Sequence, residues 1–358
     1  MNELLIHSNI HPYKVSFEPD FSFVSTLIEQ ENAVFIIDRI VFKQYEYEFS
    51  SISPERLLLI DAVEENKTYD FVSKLYEFLM SLNCKKNAHL VSIGGGIIQD
   101  ISGFTASTLY RGVHWTFIPT TLLAQADSCV GSKTSLNFGR FKNIVGSFYP
   151  PHQIHICSQF LDSLSEHEIN SGCGEIIKFM LLDDRHNICL EFIEKTVLNA
   201  VNSGDFLPAL EQSLGVKQSY IKQDEFDTGK RNLFNYGHCF GHALESSSDF
   251  RIPHGIAVIY GMIFANIVAM SRGLVTQAQC KLWRNTLFDK HLSLVPLESE
   301  LDKTKIINAL KNDKKRIGEF LTMIIPSSKT VDAIKINDLT EQEVLVALDI
   351  FLKDVVNL

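Results

Sequence analysis

Three short motifs contain most of the side chains in this sequence that could do chemistry. They are RNLFNYGHCFGHALE at 231–245, GCGEIIK at 172–178 and IPHG at 252–255. Together they supply two histidines four residues apart, a third histidine twelve residues further on, and a glutamate followed by a lysine one turn later. Imidazoles and carboxylates are ligands for Zn²⁺ and similar metals. The motifs predict one divalent metal site if the fold brings them together; otherwise they are structural side chains.

A second candidate is the glycine-rich turn GGGIIQD at 94–100, which lies between a predicted strand and a predicted helix. Glycine lets an anion approach the backbone, and a helix N-terminus favours negative charge, so a pyrophosphate would fit. The spacing is not the GxGxxG of dinucleotide-binding folds. Nucleotide binding and a tight structural turn therefore both stay open. Asp38, at the end of an earlier predicted strand, could reach a ribose hydroxyl.

The elements that must position these groups change character along the chain. Residues 1–157 contain short apolar runs that alternate with helical patterns, which predicts an α/β domain with a parallel sheet and helices on both faces. The predicted strands are 33–38, 57–61, 89–96 and 115–119, and the predicted helices are 69–82 and 97–109.

Residues 158–358 are predicted as a mostly α-helical, metal- and substrate-binding domain. The helical patterns cover 166–182, 207–223, 239–247, 254–272, 278–287, 303–310 and 341–355, and 320–336 would add one or two short strands. Because no flexible linker separates the halves, we expect them to pack closely around a shared cleft.

The composition of the chain excludes several classes of function. The chain has 358 residues, 45% of them hydrophobic and 21% charged, as in an ordinary globular protein. A net charge of −10 argues against binding to nucleic acid or anionic membrane. Seven cysteines without a CxxC pair indicate reduced thiols and a cytoplasmic protein. We see no signal peptide, and the apolar stretch 255–270 is too short to span a membrane, so we expect a buried helix.

In several further motifs the sequence resembles the 3-dehydroquinate synthases, which are sugar phosphate cyclases. The resemblance runs from about residue 30 to about residue 275 with motif order and spacing kept. Besides the motifs above it includes Arg111–Gly112, IPTTLLAQADSCVGSKTSLN at 118–137, KNIVGSFYPP at 142–151, DEFDTGK at 224–230 and, later, NDKK at 312–315. The resemblance implies an NAD-binding α/β domain followed by a helical metal domain, usually in a homodimer.

The same resemblance implies that Glu175, His238 and His254 bind Zn²⁺, although Co²⁺ accepts the same ligands. Three ligands with open positions are what a catalytic zinc needs. His242 is a tempting fourth ligand, because residues four apart share a helix face. In the family this histidine binds the substrate phosphate instead, and we follow that assignment.

Other roles also come from the family motifs, because each lysine taken singly would be interpreted as a solvated surface charge. The implied catalytic positions are Asp127, Lys133, Asn143, Lys178, Lys217, Arg231, Asn235 and Lys314, with Arg111 reaching into the neighbouring subunit. The implied NAD-binding positions are Asp38, Glu64, Lys67, Gly95, Gly96, Asp100, Thr120, Thr121, Asp127, Lys142, Phe160 and Ser163.

The activity that the resemblance implies is a phosphate-eliminating lyase reaction of the shikimate pathway, which leads to aromatic amino acids. A seven-carbon sugar acid phosphate is cyclised to 3-dehydroquinate, and the NAD reduced in one step is reoxidised in the same turnover. Zinc lowers the pKa of the reacting alcohol.

Some positions depart from the family pattern, which keeps alternatives open. The substituted positions are Gln99, Ser132, Phe141, Tyr236 and Cys239. A paralogous cyclase that makes a cyclitol or aminocyclitol precursor would share zinc and NAD, and an NAD- and metal-dependent alcohol dehydrogenase would share the architecture. The carboxylate-binding set Lys217, Arg231 and Asn235 is intact, which favours dehydroquinate synthesis.

Overall fold

The computed structural model describes residues 3–139, 141–186, 188–311, 320–327 and 332–356. The chain forms two compact units. The N-terminal unit is Met1–Leu164 together with Tyr220–Phe226, and the C-terminal unit is Ser165–Ser219 together with Asp227–Leu358.

The N-terminal unit is built on a largely parallel sheet. Its strands are β1 (Glu3–Ile6), β2 (Tyr13–Glu18), β3 (Ala33–Asp38), β4 (Leu57–Ile60), β5 (His89–Gly94), β6 (His114–Pro119), β7 (Lys133–Phe138), β8 (Phe141–Phe148) and β9 (Gln153–Cys157). Seven of them form one sheet in the order β1-β2-β9-β6-β5-β3-β4, antiparallel only between β1 and β2. The strands β7 and β8 form a separate antiparallel hairpin. The predicted α/β class is confirmed.

The helices of this unit are α1 (Ser22–Ile28), α2 (Arg39–Gln44), α3 (Glu46–Phe49), α4 (Tyr69–Ser81) and α5 (Gly96–Thr108). The central strands β3 and β5 are buried along nearly their whole length, because a parallel strand is covered on both faces. Val72, Leu75 and Leu79 recur at helical spacing and form the buried face of α4, whose N-cap residue is Thr68. The Thr68 hydroxyl accepts a hydrogen bond from the Phe71 amide and caps the helix.

The C-terminal unit is mostly helical, as predicted. Its elements are α6 (Glu166–Leu181), α7 (Leu190–Ser203), α8 (Leu207–Gln223), α9 (His238–Ser247), α10 (His254–Ser271), α11 (Gln277–Trp283), α12 (Lys303–Lys311), β10 (Leu321–Pro326), β11 (Ala333–Leu339) and α13 (Glu341–Phe351). The strands β10 and β11 pair antiparallel, in the region where short strands were expected. The end of α8 belongs to the N-terminal unit.

The central helix of this unit is α10. By length and composition alone it could cross a membrane, but 83% of its apolar window is buried inside the protein, which makes it a core helix as expected. Its neighbours touch it backbone to backbone. A Cβ added at Gly255 would lie 1.7 Å from the carbonyl oxygen of Ser171 in α6, and one at Gly261 would lie 1.7 Å from that of Gly237, just before α9. Glycine therefore lets α10 contact α6 and the residue before α9 backbone to backbone.

Candidate functional site

The three residues predicted as metal ligands converge at this meeting of helices. Glu175 lies in α6, and His238 and His254 are the first residues of α9 and α10. Oε1 of Glu175 is 3.5 Å from Nε2 of His238 and 3.4 Å from Nε2 of His254. Glu175 is fully buried, and this oxygen makes no hydrogen bond to any residue that the structure describes.

These distances fit a metal ion. Two ligands held about 2.0–2.2 Å from a tetrahedral zinc lie roughly 3.3–3.6 Å apart. The Oε1 atom of Glu175 has this separation from both imidazoles. A buried carboxylate oxygen without a hydrogen bond costs free energy unless something else satisfies it, and a divalent cation between the three side chains would do so.

The pKa values of Glu175 and His254 are both shifted by the charged groups that surround them. Burial alone would raise the pKa of Glu175, but Lys178, whose ammonium contacts the other carboxylate oxygen, and His254 bring it below its ordinary value. Burial alone would lower the pKa of His254, but Glu245 and Glu175 raise it to about 10. Carboxylates thus flank this imidazole on two sides.

His242 is close to the cluster but more exposed. It shares a helix face with His238 on α9, and the ring centroids are 5.2 Å apart. Ring nitrogens of His238, His242 and His254 all lie within 4.8 Å of one another. The 4.8 Å limit among the histidines is wider than the 3.4–3.5 Å between Glu175 and the two predicted histidine ligands. The position of His242 is therefore compatible with a fourth metal ligand and also with a contact to the substrate.

Two positions that support the cluster were not predicted from the sequence. Oε2 of Glu245 lies 3.1 Å from Nδ1 of His254. The carbonyl oxygen of Tyr236 lies 3.4 Å from Nδ1 of His238. Partners of this kind fix the ring orientation and tautomer of a metal-binding histidine. Glu245 could have been found, because it lies on the same helix as His238, two turns later.

Buried cations lie near the cluster in the same unit. Lys178, Lys217 and Arg231 are 1%, 4% and 7% exposed. The ammonium groups of Lys178 and Lys217 lie 4.4 Å and 5.7 Å from the centre of the Phe179 ring, which brings the two lysines to one place. The Lys178 ammonium also contacts the Glu175 carboxylate, so these lysines belong to a charged network in the interior of this unit.

Asn235 ends the short helical turn Lys230–Asn235, and its amide donates to the carbonyl oxygen of Asn232 over 2.7 Å. It therefore shares this turn with Arg231. The predicted catalytic residue Lys314 lies outside the described residues.

In the N-terminal unit the glycine-rich turn joins β5 to α5. A Cβ at Gly94 would lie 2.5 Å from the side chain of Ile98, so this glycine permits strand and helix to pack. Gly95 is the N-cap residue of α5, and a Cβ there would be 3.3 Å from Thr121. A Cβ at Gly96 would meet nothing within 4 Å. The backbone at Gly96 is therefore open to a ligand at the N-terminus of a 13-residue helix.

Beside this turn lies a hydrogen-bonded group that we call the Asp100 network: Lys67, Asp100, Ser135 and Asn143. Nζ of Lys67 is 2.5 Å from Oδ2 of Asp100 and 2.6 Å from Oδ1 of Asn143. The amide and hydroxyl of Ser135 donate to Asp100 over 2.8 and 3.0 Å. Burial keeps the pKa of Asp100 raised although Lys67 is in contact. Asn143, which the resemblance assigns to catalysis, thus lies among predicted cofactor-binding residues.

Several other predicted cofactor-binding residues also lie in this unit, and most of them make hydrogen bonds within it. Glu64 accepts from Asn137 over 2.9 Å and is 3.2 Å from Nζ of Lys142. Asp38 caps α2 by accepting from the amide of Ile40. Thr120 is buried, and Thr121 accepts from the amide of Ala124.

Phe160 and Ser163 are in a short helical turn after β9. The ring of Phe160 is fully buried and packs against Phe21 and Tyr45, so it offers no exposed surface. The hydroxyl of Ser163 donates to the carbonyl oxygen of Phe160 over 3.2 Å.

Three predicted catalytic residues of this unit lie in or next to irregular backbone. Asp127 is inside a π-helical turn, Ala124–Ser128, and Lys133 is the exposed first residue of β7. Arg111 has a φ of 62° directly after Tyr110 with 51°. Left-handed conformations at non-glycine residues persist where the surroundings enforce them and are frequent at functional sites.

One departure from the family pattern has a visible structural role. Gln99 in α5 donates to the carbonyl oxygen of Ser128 and accepts from its hydroxyl, each over 2.6 Å. The side chain therefore ties the helix after the glycine turn to the π-helical turn that contains Asp127.

Comparisons with known proteins agree with this architecture. Residues 57–171 match the model of the 3-dehydroquinate synthase N-terminal domain, and residues 172–316 match that of the C-terminal domain. A 3-dehydroquinate synthase of Acetivibrio thermocellus is 34% identical over 279 residues, which cover 77% of this chain and 76% of the relative.

Two solved structures share the fold. One is 2-epi-5-epi-valiolone synthase from Streptomyces hygroscopicus with NAD⁺ and Zn²⁺ bound, at a TM-score of 0.83 and 24% identity over 95% of this chain and 97% of that one. The other is 2-deoxy-scyllo-inosose synthase complexed with carbaglucose-6-phosphate, NAD⁺ and Co²⁺, at 0.81 and 24% over 97% and 98%. On the matches to both domain models and to the A. thermocellus enzyme, this chain belongs to the 3-dehydroquinate synthase family.

Proposed function

We propose that the protein is a 3-dehydroquinate synthase, which cyclises a seven-carbon sugar acid phosphate with elimination of phosphate and depends on NAD and a divalent metal. The observation that carries the proposal is the buried cluster of Glu175, His238 and His254, with Glu175 Oε1 at metal-ligand spacing from both imidazoles. Family membership supplies the reaction class. The relative at 34% identity supports the particular reaction.

We assign Glu175, His238 and His254 as the residues that would hold zinc or cobalt. When bound, the metal would supply Lewis acidity to a substrate hydroxyl, and NAD would accept and return a hydride. The protein orients the ligands: the Glu245 carboxylate accepts from Nδ1 of His254, so Nε2 faces Glu175. The Lys178 ammonium is held against the metal-binding carboxylate and can balance charge there.

We assign the buried cations to the substrate. Arg231 would bind the substrate carboxylate with two parallel hydrogen bonds, and Lys217 and Asn235 would assist it. His242, the more exposed imidazole, would bind the leaving phosphate. A sugar acid phosphate carries two anionic groups, which matches the concentration of buried positive charge around Phe179.

We assign the NAD pyrophosphate to the backbone at Gly95 and Gly96, at the N-terminus of α5. Support comes from the open space at Gly96. The Asp100 network and the Glu64–Lys142 pair lie in the same unit and would bind the rest of the dinucleotide.

We also propose that the protein is a homodimer through the β7–β8 hairpin and the turn at Arg111. Phe138, Phe141 and Ile144 on the hairpin are 65%, 53% and 49% exposed, and large exposed apolar side chains of this kind are suited to a partner. Sedimentation velocity should show a dimer that dissociates in the Phe141→Glu/Ile144→Glu variant. Tyr47→Glu, at a residue 87% exposed elsewhere on the same unit, is the control and should stay dimeric. A wild type that is monomeric and fully active at micromolar concentration would contradict the proposal.

The main alternative is another sugar phosphate cyclase. Two solved cyclase structures that share the fold are each 24% identical to this chain, against 34% for the dehydroquinate synthase. An alcohol dehydrogenase with NAD and a metal is the alternative from a different reaction class.

The test measures phosphate release from a panel: the sugar acid phosphate, sedoheptulose 7-phosphate and glucose 6-phosphate. We expect release only from the acid, with no NADH accumulating at 340 nm. If phosphate were released only from a sugar phosphate without a carboxylate, the proposed dehydroquinate synthesis would be wrong and the alternative cyclase activity would be supported. Accumulation of NADH without phosphate would contradict any cyclase.

A further inference from the structure

A cavity of about 400 Å³ lies in the C-terminal unit between α10, α11 and the C-terminal end of α13. Its volume is in the range of small-molecule sites. It is separate from the metal-ligand cluster, because its nearest residue on α10 is nine positions after His254, which is roughly 14 Å along the helix. The walls are largely apolar: Ile263, Ile267, Met270, Ile350 and Val355.

One buried polar side chain faces this cavity with unused hydrogen-bonding capacity. Asn266 is 2% exposed and lines the cavity. Its Oδ1 accepts from the hydroxyl of Tyr236 over 2.6 Å, whereas its amide nitrogen donates to none of the residues that the structure describes. Buried amide donors are almost always paired, so this nitrogen is suited to an acceptor atom of a ligand.

The rim of the cavity is positively charged. Lys281 and Lys353 line it, and within the described part of the chain neither makes an ion pair. Arg284 also lines it, but its guanidinium is engaged by Asp289 over 2.7 Å and by the carbonyl oxygen of Asp354. Among the described residues of the lining, Asp354 contributes the one carboxylate, so with Lys281, Arg284 and Lys353 the cavity keeps a net positive charge, which favours an anion.

We propose that this cavity binds a small amphipathic carboxylate. Its apolar body would fill the space between Ile263 and Ile350, its carboxylate would pair with Lys281 and Lys353, and an acceptor atom would take the Asn266 amide. The proposal does not rest on the proposed catalytic function, because it uses none of the residues assigned to metal, NAD or substrate.

The test uses 3-phenylpropanoate as the probe and ¹³C-methyl methionine spectra of the full-length protein as the readout. Met270 lines the cavity, whereas Met80 lies on α4 in the other unit. We expect the methyl signal of Met270 to shift as the probe is added until the site is saturated, and that of Met80 to stay in place. The Kd should be about 1 mM for a probe of this size. The neutral 3-phenylpropanamide should bind about tenfold more weakly.

The Lys281→Met/Lys353→Met variant should lose about tenfold in affinity for 3-phenylpropanoate. Lys195→Met removes an exposed lysine of α7, outside the cavity, and should bind like the wild type. Absence of saturable binding at about 10 mM probe would overturn the proposal. Equal binding by the double variant, or by the amide, would also overturn it, since the rim charge would then play no part.

Discussion

The Asp100 network and the metal-ligand cluster each hold a carboxylate that is largely or fully removed from solvent, but they satisfy it in different ways. Asp100 receives two hydrogen bonds from Ser135 and an ion pair from Lys67. Oε1 of Glu175 receives no hydrogen bond from the described residues, although two imidazoles face it at 3.4 and 3.5 Å. Protein groups therefore surround the Asp100 carboxylate, whereas in the described part of the chain Oε1 of Glu175 has only the two imidazoles beside it, an arrangement that would suit a metal cation. Asp100 should therefore matter for the stability of the N-terminal unit as well as for the NAD binding proposed above, and Glu175 for metal content.

The largest effect should come from removing a ligand of the cluster. Glu175→Ala, His238→Ala and His254→Ala should each lose bound metal and nearly all activity while the protein stays folded. Loss of a metal that stabilises transition-state charge should lower kcat by at least about 10³. Elemental analysis of the purified protein, together with circular dichroism, measures both quantities.

His7→Ala, at an exposed histidine of the other unit, is the control and should keep its metal. Full metal occupancy in two of the three cluster variants would show that the carboxylate is satisfied in some other way, and the contrast with Asp100 would disappear.

The next largest effect should come from Arg231→Ala. A buried substrate carboxylate left without its cation costs several kcal/mol, so kcat/KM for the sugar acid phosphate should fall about 10²–10³-fold. Arg231→Lys should recover only part of this, because an ammonium cannot form two parallel hydrogen bonds. Metal content should not change in either variant. An Arg231→Ala enzyme with wild-type kcat/KM would remove this residue from the substrate site.

A smaller effect is expected for Glu245→Gln, which keeps the shape and removes the charge beside His254. Outer partners of this kind contribute about 10–100-fold to metal affinity. Competition with a chelator measures the affinity directly, and thermal unfolding of the metal-free protein checks the fold. If affinity were unchanged, Glu245 would be a structural contact only.

The smallest effect should come from Gly96→Ala, which tests the N-terminal unit. A Cβ at this position meets nothing within 4 Å, so the free protein should be as stable as the wild type or slightly more so. The same methyl group would project toward the proposed pyrophosphate and weaken NAD binding by about tenfold. Fluorescence titration with NADH and thermal unfolding separate the two effects. Unchanged NAD affinity would place the pyrophosphate elsewhere.

The sequence predicted many of the elements whose pattern is regular, but it missed α7, whose buried residues Leu190, Ile193, Val197 and Ala200 recur at helical spacing. The strand Ala33–Asp38 and the helix Leu207–Gln223 have the predicted bounds, because a buried parallel strand is continuously apolar and a long helix repeats its apolar face. The N-terminal strands β1 and β2 and the hairpin β7–β8 were not predicted. Their residues are only partly buried, so side-chain alternation gives a weak signal, and strand pairing between distant segments is not a local property.

For the site, the residue types and spacing gave the metal-ligand candidates, and the structure brings them to one point. Family motifs gave the remaining assignments, which the experiments above test. Glu245 lies two turns after His238 on the same helix, so its nearness to the cluster could have been predicted, but its contact with His254 depends on the angle at which α9 meets α10. The Asn266–Tyr236 hydrogen bond is of the same kind, joining residues 30 positions apart.

The contacts of α10 with α6 and with the residue before α9 have a consequence for how the site tolerates sequence change. Gly174, Gly255 and Gly261 let backbones touch, so the spacing of Glu175, His238 and His254 is fixed by main chain rather than by the volume of packed side chains. The vulnerable positions are three glycines that bind nothing themselves, where a single methyl group would push the ligand-bearing helices apart.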